Sequence, residues 1–432
     1  MTDEAAATIP VESVQYIKEI YPRLSPSDET IDLYRASLDE LPPITVAQSA
    51  SAGSNVLVDG YHRWQAHQRE GARFIAADDL GALSDFEILR ESVRRNSRHG
   101  RQFTSKEKRA NCDRLWSMWP QEDARKGGEK IDELAADLGV SKRSVEMWTK
   151  DARAAAQLQL QADAWDMWLD CEHTQDEIAE ILAVPQRTVA NWLSQTRNSA
   201  DLAKPPGATD GKPWGSIQHF DVWQFGSDGG DSTYFSRMPP GIVENLLWFW
   251  TEPSGIVVDP FAGSGTTIKV AKRMGRRVWS SDRRGNYWDK TLPIHEHDIA
   301  AGWPADAPAK ADLILLDPPY WQQARGKYSD DQEDLGNQSL DDFYKSWASI
   351  AKTAMEHTPR IAYIISPTQL EDGTVVDHAT DMLAPFRDNG WQVERRIVVP
   401  YSTQQATGQQ VTWAREKKRL LKLYRDLMVM SR

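Results

Sequence analysis

Asp317-Pro318-Pro319-Tyr320 follows the apolar run LILL at 313–316, so a carboxylate, a carbonyl and an aromatic ring emerge together from a buried strand. A carboxylate beside a carbonyl can accept both hydrogens of an exocyclic amine on a nucleobase. That favours a pyramidal nitrogen and frees a lone pair otherwise delocalised into the ring. Consecutive prolines fix the direction of the Pro318 carbonyl, and Tyr320 offers a face for stacking a base taken out of its duplex. Positioning against an electrophile then carries much of the rate.

A second cluster begins at Asp259, 58 positions earlier. The segment GIVVDPFAGSGTTIKVAKRMG (255–275) reads as a buried strand, a Gly-rich turn and an amphipathic helix. That is the layout of a doubly wound sheet, with its ligand at the carboxyl end of the first strand. Gly263 and Gly265 let a ligand approach the backbone without a clashing Cβ. A dinucleotide site is one alternative, but the third glycine of GxGxxG is absent, the position two after Gly265 being Thr267. Asp259 suits an ammonium better than a pyrophosphate, and Pro260, Phe261, Ala262, Ser264 and Thr266 complete the turn. The next strand, RRVWSSD, ends in Asp282, placed to accept both hydroxyls of a ribose. LPIHEHDI offers Asp298 to an adenine amino group. Three acids after three successive strands describe S-adenosylmethionine.

In this order, DPFAGSGTT and DPPY resemble the amino-methylating DNA methyltransferases over about residues 214–432. The resemblance implies methyl transfer from S-adenosyl-L-methionine to double-stranded DNA. DPPY is more often associated with adenine N6, while Trp321 keeps cytosine N4 open, since PPYW is frequent in cytosine enzymes. YFSRMPPGIVENLLWFW (234–250) is similar to the family's additional cofactor-side element, which implies a cofactor contact from Phe235. The sizeable sequence-reading insertion usual in the family is missing. Its candidates are the loop 321–340 and the segment 402–424, where the basic run REKKRLLKLYR makes Arg415, Lys417 and Lys418 candidate phosphate contacts.

Sequence reading could instead fall to an internal repeat. DELAADLGVSKRSVEMWTK at 132–150 and DEIAEILAVPQRTVANWLS at 176–194 correspond at a spacing of 44 residues. Each copy is an apolar helix, a tight turn and a second helix. Gly139 supplies the first turn; the second has Ala183, then Pro185, suited to a helix's first turn. This resembles the helix-turn-helix unit, whose second helix enters the major groove. Lys142 and Arg143 in one copy, and Arg187 and Thr188 in the other, would then meet DNA. A plain hairpin for packing or dimerisation is the competing reading, so an oligomer stays open.

Upstream, VLVDGYHRWQAHQREG (56–71) reads as a strand, a Gly turn and a helix opening on His62 and Arg63. Helix-start amides with an arginine close by favour an anion, which makes Gly60, His62 and Arg63 candidates for a phosphate or nucleotide. The spacing resembles the ParB and sulfiredoxin-like superfamily, although Tyr61 replaces an acid common in ParB and puts hydrolysis in doubt. Eight basic residues between Arg90 and Arg109, against Glu91 and Glu107, read as a basic patch.

The expected architecture is therefore multidomain: an α+β ParB-like domain (8–110), an all-α tandem helix-turn-helix region (111–200), a linker (201–213) and an α/β Rossmann-like methyltransferase domain (214–432). A net charge of −12 argues against wholesale coating of nucleic acid, so binding must be local. No apolar run approaches the roughly 20 residues of a membrane span. The first residues lack the pattern of a signal peptide, and two cysteines without partner spacing show neither a metal site nor a disulfide framework. The chain reads as cytoplasmic. Two other classes stay in view: an RNA amino-methyltransferase, and a ParB-like DNA-binding regulator with a vestigial catalytic half.

Overall fold

The computed structural model describes residues 7–23, 27–98, 103–120, 127–225, 237–323, 331, 333–370, 372–401 and 408–432. Two compact units divide at Leu158/Gln159. The division falls inside the helix Lys150–Leu169, so the two copies of the helical repeat belong to different units.

In the N-terminal unit, β1 (Ala7–Pro10), β2 (Val14–Gln15), β3 (Ile44–Ser49), β4 (Asn55–Asp59) and β5 (Phe74–Leu83) form one sheet in the order β1-β5-β3-β4-β2. Side chains alternate across a strand, and in β4 that alternation sorts Leu57 into one core and Val56 and Val58 into another. Gly60 then reverses the chain at φ +97°, where an added Cβ would lie 2.8 Å from Ile44 Cγ2. The helix Tyr61–Arg69 follows, burying Trp64 and Ala66 against the sheet.

The first three arginines of the basic run from Arg90 are paired with acids. Arg90 binds Glu133 and, at 2.6 Å, Asp137; Arg94 binds the other Asp137 oxygen at 2.6 Å. Arg95 pairs with Glu91 at 2.9 Å. These contacts fasten the helix Gly127–Leu138, the first helix of the repeat, to the helix Asp85–Arg98. Helical periodicity in each segment shows charge but not which acids from a later helix will neutralise it.

The C-terminal unit is built on β6 (Ile256–Asp259), β7 (Arg277–Asp282), β8 (Ile294–Glu296), β9 (Leu313–Leu316) and β10 (Arg360–Ile365). A short ribbon, β11 (Thr368–Gln369) with β12 (Val375–Val376), precedes β13 (Gln392–Pro400) and β14 (Tyr424–Ser431). The seven main strands run β13-β14-β10-β9-β6-β7-β8. Strands β8, β7, β6, β9 and β10 are mutually parallel, and β14 is antiparallel to both its neighbours. Strands buried on both faces read as near-continuous apolar runs. β9 obeys this, with Leu313 and Leu315 in one core and Ile314 and Leu316 in the other. The strand order reverses between β6 and β9, and such a switch point opens a crevice beyond the carboxyl ends.

The second copy of the repeat belongs to this unit, and the segment leading into it is fastened there. Arg277 lies over the Trp168 ring at 3.6 Å and donates to the Trp168 carbonyl, while Lys272 pairs with Asp170 at 2.5 Å. Its turn residue Ala183 takes φ +51°, as Gly139 takes +58° in the first copy, and Pro185 stands at the N-cap of Gln186–Arg197. The Pro/Gly-rich stretch 201–213 folds into turns, closed by the Ser216 amide donating to the Pro206 carbonyl at 2.9 Å.

Asp137 is 5% exposed and accepts from two arginines. Asp137→Ala is expected to destabilise the N-terminal unit by about 1–2 kcal/mol, since Arg90 keeps Glu133 and Arg94 is partly exposed. Urea unfolding of the full-length chain should show one earlier transition; an unmoved transition would rank these contacts as ordinary surface pairs.

Candidate functional site

Asp259 ends β6 and is 2% exposed. The Phe261 amide donates to it at 3.0 Å and Thr267 hydrogen-bonds it, but burial dominates and pushes its carboxyl up to about 6. The turn after it is closed by the Gly265 amide donating to the Ala262 carbonyl at 2.8 Å. Gly265 takes φ +75°, and an added Cβ would lie 2.2 Å from Leu292 Cδ1. Only glycine fits there without moving that side chain. The helix Thr266–Arg273 starts at once, leaving its first amides at the end of the turn.

Asp282 ends β7 and fastens two loops. One carboxylate oxygen accepts from the Gly263 amide at 3.0 Å, the other from the Arg284 amide at 3.0 Å. Asp298 follows β8 and caps a short helical turn through the Ala300 amide at 2.9 Å; its second oxygen lies 3.4 Å from Arg283 Nε. Arg283 also pairs with Asp331 at 2.5 Å. Arg283 and Asp331 were not foreseen as site residues, because their pairing spans 48 positions of chain.

Beyond β9, Asp317 is partly exposed, and the space it opens onto is the crevice itself. Burial pushes its carboxyl up to about 7; Arg425 opposes that, Asp259 adds to it, and a hydrogen bond from the Tyr320 hydroxyl opposes it. Tyr320 is held well above its ordinary range by burial and then by Asp317, and it also hydrogen-bonds Arg425. Trp321 turns away into the core, 8% exposed, with Nε1 donating to the Gln338 carbonyl at 3.0 Å.

These loops enclose a cavity of about 370 Å³. Asp259, Pro260, Phe261, Ala262, Gly263, Ser264, Thr266, Asp282 and Asp298 line it on one side, and Asp317, Pro318, Pro319 and Tyr320 on the other. Met238, Arg283, Arg284, Asp334, Leu335 and Gln338 complete the wall. Gly265 stands behind it, shaping the turn. Phe235 lies outside the described residues.

Elsewhere the candidate residues are scattered. Arg63 is occupied within its own unit, donating to Asp59 at 2.8 Å and to the carbonyls of Pro42 and Pro43 at 3.0 and 2.6 Å. His62 Nε2 accepts from the Ser27 amide at 3.0 Å. Gly60 is filled against Ile44. These contacts give the box a structural part in closing the turn between β4 and the helix that follows. Lys142 is exposed yet pairs with Asp132 at 2.7 Å, whereas Arg143 and Arg187 are exposed and Thr188 is half-buried. Arg415, Lys417 and Lys418 are exposed, but the same basic run turns inward further on. Lys422 donates to Gln323 at 2.6 Å and is lowered to about 8 by burial, and Arg425 is 6% exposed.

The geometry agrees with what the chain is similar to. Residues 91–292 match the N6/N4 DNA methylase family. That stretch includes the Asp259 turn and Asp282 and stops before Asp317, so the DPPY loop stands on its own geometry. A type II methyltransferase of Bacillus subtilis, M.BglII, is 33% identical over 78 residues, 17% of this chain and 22% of that protein. Another from Moraxella bovis, M1.MboII, is 32% identical over 76 residues, 16% of this chain and 29% of that one. The chain thus spans less than a third of the length of either relative. Among solved structures, the C-terminally truncated chromosome-partitioning protein ParB from Caulobacter crescentus, complexed to the centromeric parS site, aligns over 43% of this chain and 97% of its own, at 18% identity and a TM-score of 0.25. Among the described residues no helix is long and apolar enough to cross a membrane.

Asp282→Ala removes the acceptor for two backbone amides as well as for any ribose. Unpaired buried donors cost about 1–3 kcal/mol, so S-adenosylmethionine affinity is expected to fall by roughly 5- to 150-fold. Calorimetric titration measures this directly, and an unchanged affinity would remove Asp282 from the site.

Proposed function

We propose that this chain transfers a methyl group from S-adenosylmethionine to the exocyclic amine of a DNA base, with adenine N6 the favoured target and cytosine N4 the alternative. One observation carries the reading: the Asp259 turn and the DPPY loop end adjacent parallel strands at the switch point and line one cavity. The cavity suits the cofactor chemically. Asp259, a buried acid held near 6, gains its charge readily beside an ammonium, Asp282 is oriented by two amides toward a diol, and Asp298 stands beyond for an amino group.

When bound, S-adenosylmethionine supplies a methyl carbon on a positively charged sulfur that departs as a neutral thioether. The residues present the amine. The Asp317 carboxylate and the Pro318 carbonyl accept its two hydrogens, and Pro319 holds that carbonyl's direction. The nitrogen lone pair forms the new N–C bond. No strong base is required, because the amine becomes acidic as it is methylated and its proton leaves to solvent. Tyr320, anchored at its hydroxyl, gives ring surface to the cavity for a base flipped from the duplex.

The Asp of DPPY supports adenine by family likeness. Trp321, turned into the core, adds no surface to the cavity and gives cytosine no support there. The exposed Arg143 and Arg187 support a DNA-contacting role for the helical repeat, with the ParB-like region and the run at Arg415, Lys417 and Lys418 as further contacts.

Asp317→Ala is expected to abolish transfer while cofactor binding persists. In the wild type, protonation of Asp317 removes an acceptor. The rate constant kcat/KM should therefore rise with pH up to about 7 and level above it. Asp259 near 6 makes the limb a property of the pair. A flat profile between pH 5 and 8 would contradict the assignment. Modified-base sequencing of host DNA after expression tests the substrate. N6-methyladenine is expected, N4-methylcytosine would shift the reading to the alternative, and methylation confined to RNA would overturn it. Arg143→Ala with Arg187→Ala should lower DNA affinity and flatten the dependence of log affinity on log salt by about 0.9 for each phosphate no longer neutralised. Unaltered slopes across a salt series would return the repeat to a packing role.

A further inference from the structure

We propose that Arg425 is a positioning residue for this reaction, holding Asp317 ionised and Tyr320 in place from the side of the DPPY loop away from the bound base. The inference rests on the reading of Asp317 as acceptor of the amine hydrogens.

Strand geometry brings Arg425 there. In the ladder of β10 and β14, Ile365 is opposite Asp426, and in that of β9 and β10, Leu316 is opposite Tyr363. Arg425 therefore stands one residue further toward the carboxyl edge from which Asp317 emerges. Alternation sends it to the face opposite Asp426, whose carboxylate is taken by Arg396 at 3.0 Å. The Arg425 guanidinium is 6% exposed and lies 5.0 Å from the centre of the Tyr401 ring. The Tyr320 hydroxyl bridges it to Asp317. Among the described residues its Nε has no hydrogen-bond partner.

Burying a guanidinium with an unpartnered N–H is costly, and a long apolar side chain would fill the same space. A permanent cation has a use here, because Asp259 and Asp317 end neighbouring strands and Asp259 disfavours ionisation of Asp317. Arginine stays charged throughout the working pH range. Facing Asp317 are Asp259 from β6, which raises its pKa, and Arg425 from β14 with Tyr320 from its own loop, which lower it. Tyr401, after β13, acts with them by accepting Arg425 over its ring. Lysine would serve less well, since a buried ammonium gives up its proton more readily.

The test follows the carboxyl itself. Full-length protein labelled with carboxyl-13C aspartate would be titrated without DNA or cofactor, the Asp317 resonance being assigned by its loss in Asp317→Asn. Arg425→Met is expected to raise the Asp317 midpoint by about one pH unit or more, and Arg425→Lys by less. The pH midpoint of kcat/KM should move with it, so that a loss of roughly fivefold or more at neutral pH shrinks by pH 9, while S-adenosylmethionine affinity stays unchanged. An unmoved carboxyl midpoint, or a rate loss equal at every pH, would overturn the proposal in favour of a packing role. Should Arg425→Met not fold, Arg425→Lys and Tyr320→Phe carry the same test: the lost hydroxyl must raise the midpoint, and no rise overturns the bridge. If the wild type methylates no DNA while the midpoint still moves, the coupling stands and the transfer reading falls.

Discussion

Two carboxylates at the ends of adjacent parallel strands are the constraint around which the C-terminal unit is arranged. Asp259 and Asp317 both line one crevice, and burial favours the protonated form of each. A site that needs both ionised must supply positive charge from elsewhere. For Asp259 the ammonium of the proposed cofactor would answer that need. For Asp317 the protein carries its own answer in Arg425, delivered by the last strand of the sheet. The antiparallel insertion of β14 between β10 and β13 thus has a chemical consequence as well as a topological one.

The same edge explains why the cofactor turn is so restricted. Gly265 must be glycine because φ is positive and Leu292 fills the space a Cβ would need. Asp282 then draws that turn toward the following strand through the Gly263 amide. Backbone amides and an acid, rather than a third glycine, set the shape of the pocket. Its wall is finished by Arg283, which gathers Asp298 and Asp331 from two separate loops.

In the N-terminal unit, charge serves cohesion. Arg63, Arg90 and Arg94 all sit where sequence alone suggests phosphate contacts, and all are engaged by Asp59, Glu133 or Asp137 and by backbone carbonyls. Other cations stay exposed: Arg143 in the first hairpin, Arg187 in the second, which belongs to the C-terminal unit, and Arg415, Lys417 and Lys418 before the last strand. An overall charge of −12 is consistent with contact through a few placed cations rather than a basic surface.

Much of the candidate site's lining was legible in the residues themselves. Asp259 and DPPY each follow an apolar run, Asp282 and Asp298 follow shorter strand-like segments, and a strand's carboxyl end is a local property that periodicity reveals. The strand-turn-helix around Gly60 and the 44-residue repeat were legible for the same reason. Pairings across long stretches of chain were not. Arg425 belonged, by sequence, to an exposed basic run; only the ladder of β14 against β10 and β13 turns it inward beside Tyr320. Arg90 stood, by sequence, at the start of a basic patch; a helix some forty residues later brings Asp137 to it. A side chain's charge is written in the sequence, but its partner is decided by which elements the fold sets side by side.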